Sequence, residues 1–129
     1  MTKYENFCLA LSNLETGVAL GAPEDVRQLT GLVGLHHICF ELSWKLMRHV
    51  LLQHGEAEEA LGSPRSVIRA AWHWNIISDE GTWLDLLRNR NVLTHTYDEE
   101  AALAVIEKIK SSYLQAFRDL KRQVGEKWL

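Results

Sequence analysis

Apolar residues recur at spacings of three and four along nearly the whole chain, and nowhere do they alternate with polar ones between hairpin turns. Tyr4, Phe7, Cys8, Leu11 and Leu14 form a first stripe, which predicts an amphipathic helix of about four turns ending near Gly17 to Gly21. From Pro23, with Glu24 and Asp25 placed favourably against a helix N-terminal dipole, a longer stripe reads Val26, Leu29, Val33, His36, Phe40, Trp44, Met47 and Leu51. Gly31 and Gly34 fall inside it. Each lowers helix propensity by about 1 kcal/mol, so they predict a kink or the close approach of another backbone. Gly55 is the expected C-terminal stop.

Glu56 to Gly62 reads as a polar connection, after which Ser63 supplies an N-cap and Pro64 a first position for a third helix carrying Val67, Ile68, Ala71, Trp74 and Ile77. Both prolines are thus expected at helix starts. The cluster Ser78 to Gly81 separates that helix from a short one, Thr82 to about Leu93, with Trp83, Leu84, Leu86 and Leu87 as its apolar content. Asp98-Glu99-Glu100 opens a final helix whose stripe runs Leu103, Ile106, Ile109, Tyr113, Phe117, Leu120 and Val124. Its basic residues, from Lys108 and Lys110 to Arg118, Lys121 and Arg122, gather toward the dipole-negative end. The pattern predicts an all-α protein, an up-and-down four-helix bundle with a short additional helix, in which residues 1–129 form a single domain.

Composition narrows what such a bundle can do. With 47% hydrophobic and 24% charged residues the chain can build a core, and a formal net charge of −3 argues against a broadly basic nucleic-acid surface. Any phosphate contact must come from a local cluster, and long RNA or DNA grooves are not expected. Met1 to Asn6 lacks the layout of a signal peptide, and no stretch approaches the roughly 20 apolar residues needed to span a bilayer, so a soluble, cytoplasmic protein with no membrane contact is expected. Cys8 and Cys39 adjoin apolar residues, which favours two buried free thiols over a disulfide or a metal pair.

Six histidines are generous for 129 residues, but their spacing is poor for metal. His36 and His37 point about 100° apart on a helix, and His49, His54 and His73 lack a His-x3-His or His-Glu-x2-His spacing. A glycine-rich phosphate loop, a Gly-x-Ser-x-Gly elbow and paired cysteines are all missing from the sequence, so neither a metal nor a cofactor is expected. Phe40 and Trp44, beside Glu41 and Lys45, could stack on a base, although such a stripe is more often core. Trp72 and Trp74 cannot both face inward from one helix. The outward one, like Trp83, would mark a dimer or partner surface.

The densest run of donors and titratable groups is Arg88-Asn89-Arg90-Asn91-Val92-Leu93-Thr94-His95-Thr96-Tyr97-Asp98. Two guanidiniums can fork onto phosphate oxygens, Asn91, Thr94 and Thr96 offer neutral hydrogen bonds, and His95 can move a proton. Residues 88, 91 and 95 share one helical face, whereas 90 and 95 lie about 140° apart in an unbroken helix. Either Arg88 is the closer partner of His95, or the helix ends before it. The plain alternative is a basic helix C-terminus satisfied by its dipole, with Tyr97 packed in the next junction.

Arg90-x4-His95-x-Tyr97 resembles the Arg-x4-His-x-Tyr motif of HEPN domains, and Phe40 to Leu46, Ser63-Pro64-Arg65 and Trp83-Leu84-Asp85 through Tyr97-Asp98 resemble the nucleotidyltransferase substrate-binding branch of that superfamily. The likeness covers nearly the whole chain. It implies a homodimeric subunit that binds nucleotide or RNA beside a separately encoded minimal nucleotidyltransferase, the two forming a toxin–antitoxin couple in many prokaryotes. It further implies that Arg90 and His95 are a ribonuclease-like catalytic pair drawn from two protomers, and that Tyr97 is the hydroxyl the partner adenylylates; Arg88, Asn91 and Thr94 are expected beside them as nucleotide or phosphate contacts because of the donors they carry. A metal-independent endoribonuclease using the same residues, and a helical scaffold that keeps the motif only as structure, stand beside that reading.

Overall fold

A computed structural model describes residues 1–95 and 98–129, with the backbone alone over 91–95. Six α-helices follow in order: α1 (Lys3–Ala19), α2 (Val26–Gln53), α3 (Pro64–His73), α4 (Glu80–His95), α5 (Glu99–Lys108) and α6 (Leu114–Lys127). A 3-10 turn at Glu58–Leu61 precedes α3, and a π turn at Ile109–Tyr113 joins α5 to α6. The described residues contain no strand. The result is the all-helical bundle that the apolar spacing predicts.

Side-chain caps set the boundaries. Thr2 and Glu5 close α1 with a reciprocal capping box. Asp25 accepts the backbone N–H of Gln28 at 2.8 Å, so α2 starts at Val26 and Pro23 stays in the connection rather than opening the helix. Pro64 does occupy the first turn of α3, behind Ser63, whose hydroxyl accepts from Ser66. Gly55, at φ 101°, follows the end of α2 as expected.

Further expectations change. α2 runs through Gly31 and Gly34, and a Cβ at either would meet nothing within 4 Å, so neither marks a close approach. The close approaches are instead at Gly17 in α1, where a Cβ would lie 3.0 Å from Leu35 Cδ1, and at Gly125 in α6, where it would lie 2.5 Å from the Tyr4 hydroxyl. The segment read as a short helix from Thr82 is the 16-residue α4, longer than α3 and α5 with 10 residues each. Trp83 is no surface marker. It is 2% exposed at the centre of the core, its ring 6.4 Å from Phe40 and 5.6 Å from Phe117. Of the neighbouring pair, Trp72 is the outward ring at 42% exposure, and Trp74 is half-buried with its indole N–H donated to Glu56.

One cluster of buried residues runs from Phe7 to Val124 and draws on every α-helix. α1 packs chiefly on α2 and also on α6, α3 bridges α2 and α4, and α5 lies against α2 and α4. The π turn is needed because the last helices change neighbours. Ile109 and Leu114, five residues apart, both point into the core, where a regular helix would turn one of them out. Cys39 is buried, while Cys8 is only half-buried; both are free thiols. Burial pushes the Cys39 thiol far above its usual range. No described helix is long and apolar enough to cross a membrane.

Candidate functional site

The chemistry-bearing run lies on the second half of α4, so the packing of that helix decides which way each residue faces. Asp79 fixes its start, accepting the Thr82 hydroxyl at 2.6 Å and the Thr82 N–H at 3.1 Å. Those bonds, the hydroxyl first, hold the Asp79 carboxyl below the usual carboxylate range. Trp83 and Leu86 then seat the helix in the core. Arg90 is the next position on the same inward stripe, four residues past Leu86.

Arg90 is therefore aimed at α2 and not at solvent. Its Nη2 donates to Glu41 Oε1 at 2.6 Å, with the two side chains 28% and 17% exposed. Such a charge-assisted bond, partly out of water, fixes a guanidinium far better than a surface ion pair does. The other Glu41 oxygen, Oε2, is buried and has no hydrogen-bond partner. One turn further along α2, Trp44 packs against the core with its indole N–H likewise unpartnered.

Arg88 faces the other way. It is largely exposed and donates to Asp85 at 3.1 Å, a pair of the weak surface kind. Asp85 also accepts from Lys108 Nζ at 3.1 Å and from the hydroxyl of Tyr113, whose oxygen in turn receives the Asn89 side-chain amide. The Tyr113 hydroxyl bond, followed by Lys108 and Arg88, lowers the Asp85 carboxyl, whereas burial and then Asp85 raise the Tyr113 phenol well above its usual value. Gly81, Asp85 and Arg88 line an open groove of about 460 Å³ with Asp79, Thr82, Ser112 and Tyr113. The same helical face, continued by seven residues, reaches the Cα of His95.

The backbone of α4 is helical through His95. Of the two alternatives left by the sequence, the helix therefore does not end before the histidine. Within one protomer Arg88 shares its face, and Arg90 lies about 140° around the axis. Asp98, whose side chain accepts from the backbone N–H groups of Glu100 and Ala101, caps α5. The side chains of Asn91, Thr94, His95 and Tyr97 lie outside the described residues. Sequence reasoning overlooked the Asp85, Asn89 and Tyr113 network altogether, and it met Glu41 only as a flank of Trp44 and within a matching block.

Three of the other histidines meet aromatic rings. His36 is 3% exposed and stacks on Tyr113 at 5.6 Å and beside Phe117 at 5.8 Å. Burial, with a smaller contribution from His37, pushes its pKa down to about 4. His54 meets Trp128 edge-on, and His73 meets Trp72. Among the described residues no group of three His, Cys, Asp or Glu side chains could hold a metal ion.

An all-α bundle that keeps Arg-x4-His-x-Tyr in its sequence, its arginine turned into the bundle, is of the HEPN class. Within that class the chain belongs to the family described as nucleotidyltransferase substrate binding protein like, which it matches over residues 2–126. A Haemophilus influenzae protein named probable ribonuclease HepT is 28% identical over 90 residues, 68% of this chain but only 62% of that protein. A Haemophilus influenzae structure, HI0074, presented as the fold of a substrate-binding domain of a nucleotidyltransferase, aligns with a TM-score of 0.83 at 25% identity, covering 95% of this chain and 99% of that one. A Thermus thermophilus protein aligns with a TM-score of 0.76 at 21% identity, over 91% and 98% of the two chains, a likeness of fold alone.

Proposed function

We propose that this chain is the HEPN-type nucleotide- or substrate-binding subunit of a pair whose other member is a separately encoded minimal nucleotidyltransferase. The observation that carries the reading is the family match over residues 2–126 on a chain that keeps Arg-x4-His-x-Tyr. In this reading the pair is a toxin–antitoxin couple, and the partner transfers AMP from ATP to the Tyr97 hydroxyl with release of pyrophosphate. The adenylyl group adds bulk and negative charge beside Arg88 and Arg90 and closes the site. Incubating the protein with the nucleotidyltransferase and ATP should add one AMP at Tyr97 by mass spectrometry. A Tyr97→Phe variant that still takes the label refutes that position.

A second reading, a metal-independent endoribonuclease, is favoured by the name of the HepT relative and by the direction of Arg90. RNA supplies its own nucleophile in the ribose 2′-hydroxyl and needs a proton acceptor and charge stabilisation of the phosphorane, the roles given to His95 and Arg90. An arginine and a histidine about 140° apart on one straight helix cannot close on one phosphate from a single protomer. They suit a homodimer, in which each phosphate meets Arg90 of one copy and His95 of the other. RNA cleavage in excess chelator that disappears in Arg90→Ala and in His95→Ala is the expected result. Wild-type protein that cleaves no RNA, or a stable monomer by light scattering at micromolar concentration, refutes the shared site.

A further inference from the structure

We propose that Glu41 is a positioning residue of this site: its carboxylate reaches from α2 to α4 and holds the Arg90 guanidinium in the orientation in which it meets a phosphate, an inference that rests on the ribonuclease reading. Three observations lead there. Arg90 occupies an inward position of α4, in line with Trp83 and Leu86, where the fold alone would be served by an apolar side chain. Taking a charged pair out of water for the sake of stability is a poor exchange, because well-packed apolar residues of similar volume commonly do as well or better. Second, the pair is tight but one-sided. Oε1 binds Nη2 at 2.6 Å, yet Oε2 is buried without a partner, a cost that a pair shaped for stability would remove by meeting the guanidinium with both oxygens. Third, the elements at the two ends of the bond are rigid. Phe40 and Trp83 pack together in the core, and Ser43 Oγ donates to the Phe40 carbonyl at 2.6 Å, so Glu41 and Arg90 are presented from fixed backbone on both sides.

A carboxylate beside a phosphate-binding arginine has two separable effects. It weakens the attraction for an anion, and it removes the rotamer freedom of a long side chain whose misplacement by an ångström costs rate. Removing the charge while keeping the shape should therefore split the kinetic constants. With a short RNA substrate in chelator, Glu41→Gln is expected to lower kcat about tenfold or more while KM does not rise. Glu41→Asp keeps the charge but shortens the reach, and is expected to recover only part of the loss. Wild-type kcat in folded Glu41→Gln overturns the proposal, as does a rise in KM at unchanged kcat.

Guanidinium NMR tests the hold directly, without reference to cleavage. In the wild type, Arg90, assigned by its disappearance in Arg90→Lys, should show separately resolved Hη signals in slow rotation, and these should merge in Glu41→Gln. A freely rotating Arg90 guanidinium in the wild type overturns the proposal even if the variant does not fold. Slow rotation in a wild type that cleaves no RNA sinks the ribonuclease reading and leaves the hold of Glu41 on Arg90 standing.

Discussion

On mild acidification this bundle should loosen first at His36, before the bonded carboxylates Asp79 and Asp85 titrate, and the size of the effect follows from its surroundings. The imidazole is 3% exposed between Tyr113 and Phe117, and its pKa falls from an ordinary 6.5 to about 4. The unfolded chain binds a proton at His36 more readily than the folded one does, so the stabilisation is complete above about pH 6.5 and is lost as pH falls through 4. The difference of about 2.5 pH units corresponds to about 3 kcal/mol at the acid limit, of which about 2 kcal/mol is already gone at pH 5. Urea denaturation followed by circular dichroism at pH 7 and pH 5, on the wild type and on His36→Phe, isolates this contribution. Phenylalanine keeps a ring against Tyr113 and Phe117 and cannot titrate. Any overpacking it introduces is the same at both pH values and cancels. The wild type should lose about 2 kcal/mol more than the variant between the two conditions. A difference below about 0.5 kcal/mol refutes a buried, neutral His36.

On the proposed ribonuclease reading, substitution should separate the two arginines: Arg90→Ala should lower kcat by about 100-fold or more, and Arg88→Ala should mainly raise KM, because Arg88 is exposed beside an open groove. Equal kinetics for the two variants would show that their different environments do not matter. Tyr113→Phe keeps the stack on His36 but removes the bond to Asp85 and the acceptor for Asn89, and should cost about 1–3 kcal/mol in chemical denaturation. Asp85→Asn in the Tyr113→Phe background should then cost less than it does alone, and strict additivity would count against the network. Gly125→Ala should change sign with its background. A Cβ there would sit 2.5 Å from the Tyr4 hydroxyl, which donates to the Lys121 carbonyl, so the substitution destabilises the wild type. With Tyr4→Ala it should stabilise by up to about 1 kcal/mol through helix propensity, as read by thermal melting.

The helices were legible in the sequence because a 3.6-residue period survives any error in where each one starts. Local competition was harder to read. Pro23 and Asp25 both signal a helix start, and the bond from Gln28 N–H to Asp25 decides between them. Trp83 was misplaced because a tryptophan two residues past a Gly looks like an edge residue until Phe40 and Phe117 are known to surround it. At the site, the Arg-x4-His-x-Tyr spacing was plain, and so was the angular difference between Arg88 and Arg90. What that difference means depends on Glu41, 49 residues away on another helix, and no periodicity announces such a pairing. The Asp85, Asn89 and Tyr113 network was illegible for a related reason. Tyr113 read simply as one more member of a stripe, and the turn that places its hydroxyl departs from the period on which the stripe was counted.

That turn makes the C-terminal part of the chain a two-phase helix. One inserted residue lets α5 serve α2 and α4 while α6 serves α1, as if two screws of the same pitch were spliced out of phase. The splice is secured locally, since the Ser112 hydroxyl returns to the Lys108 carbonyl at 3.2 Å. Deleting Ser111 would therefore act far beyond its own position. It would turn Phe117, Leu120 and Val124 together by about 100° relative to α5, and the helix would have to forfeit its grip either on α1 or on the pair α2 and α4. Insertions and deletions here should be rarer than substitutions, because a change of length at this point alters the phase of everything downstream.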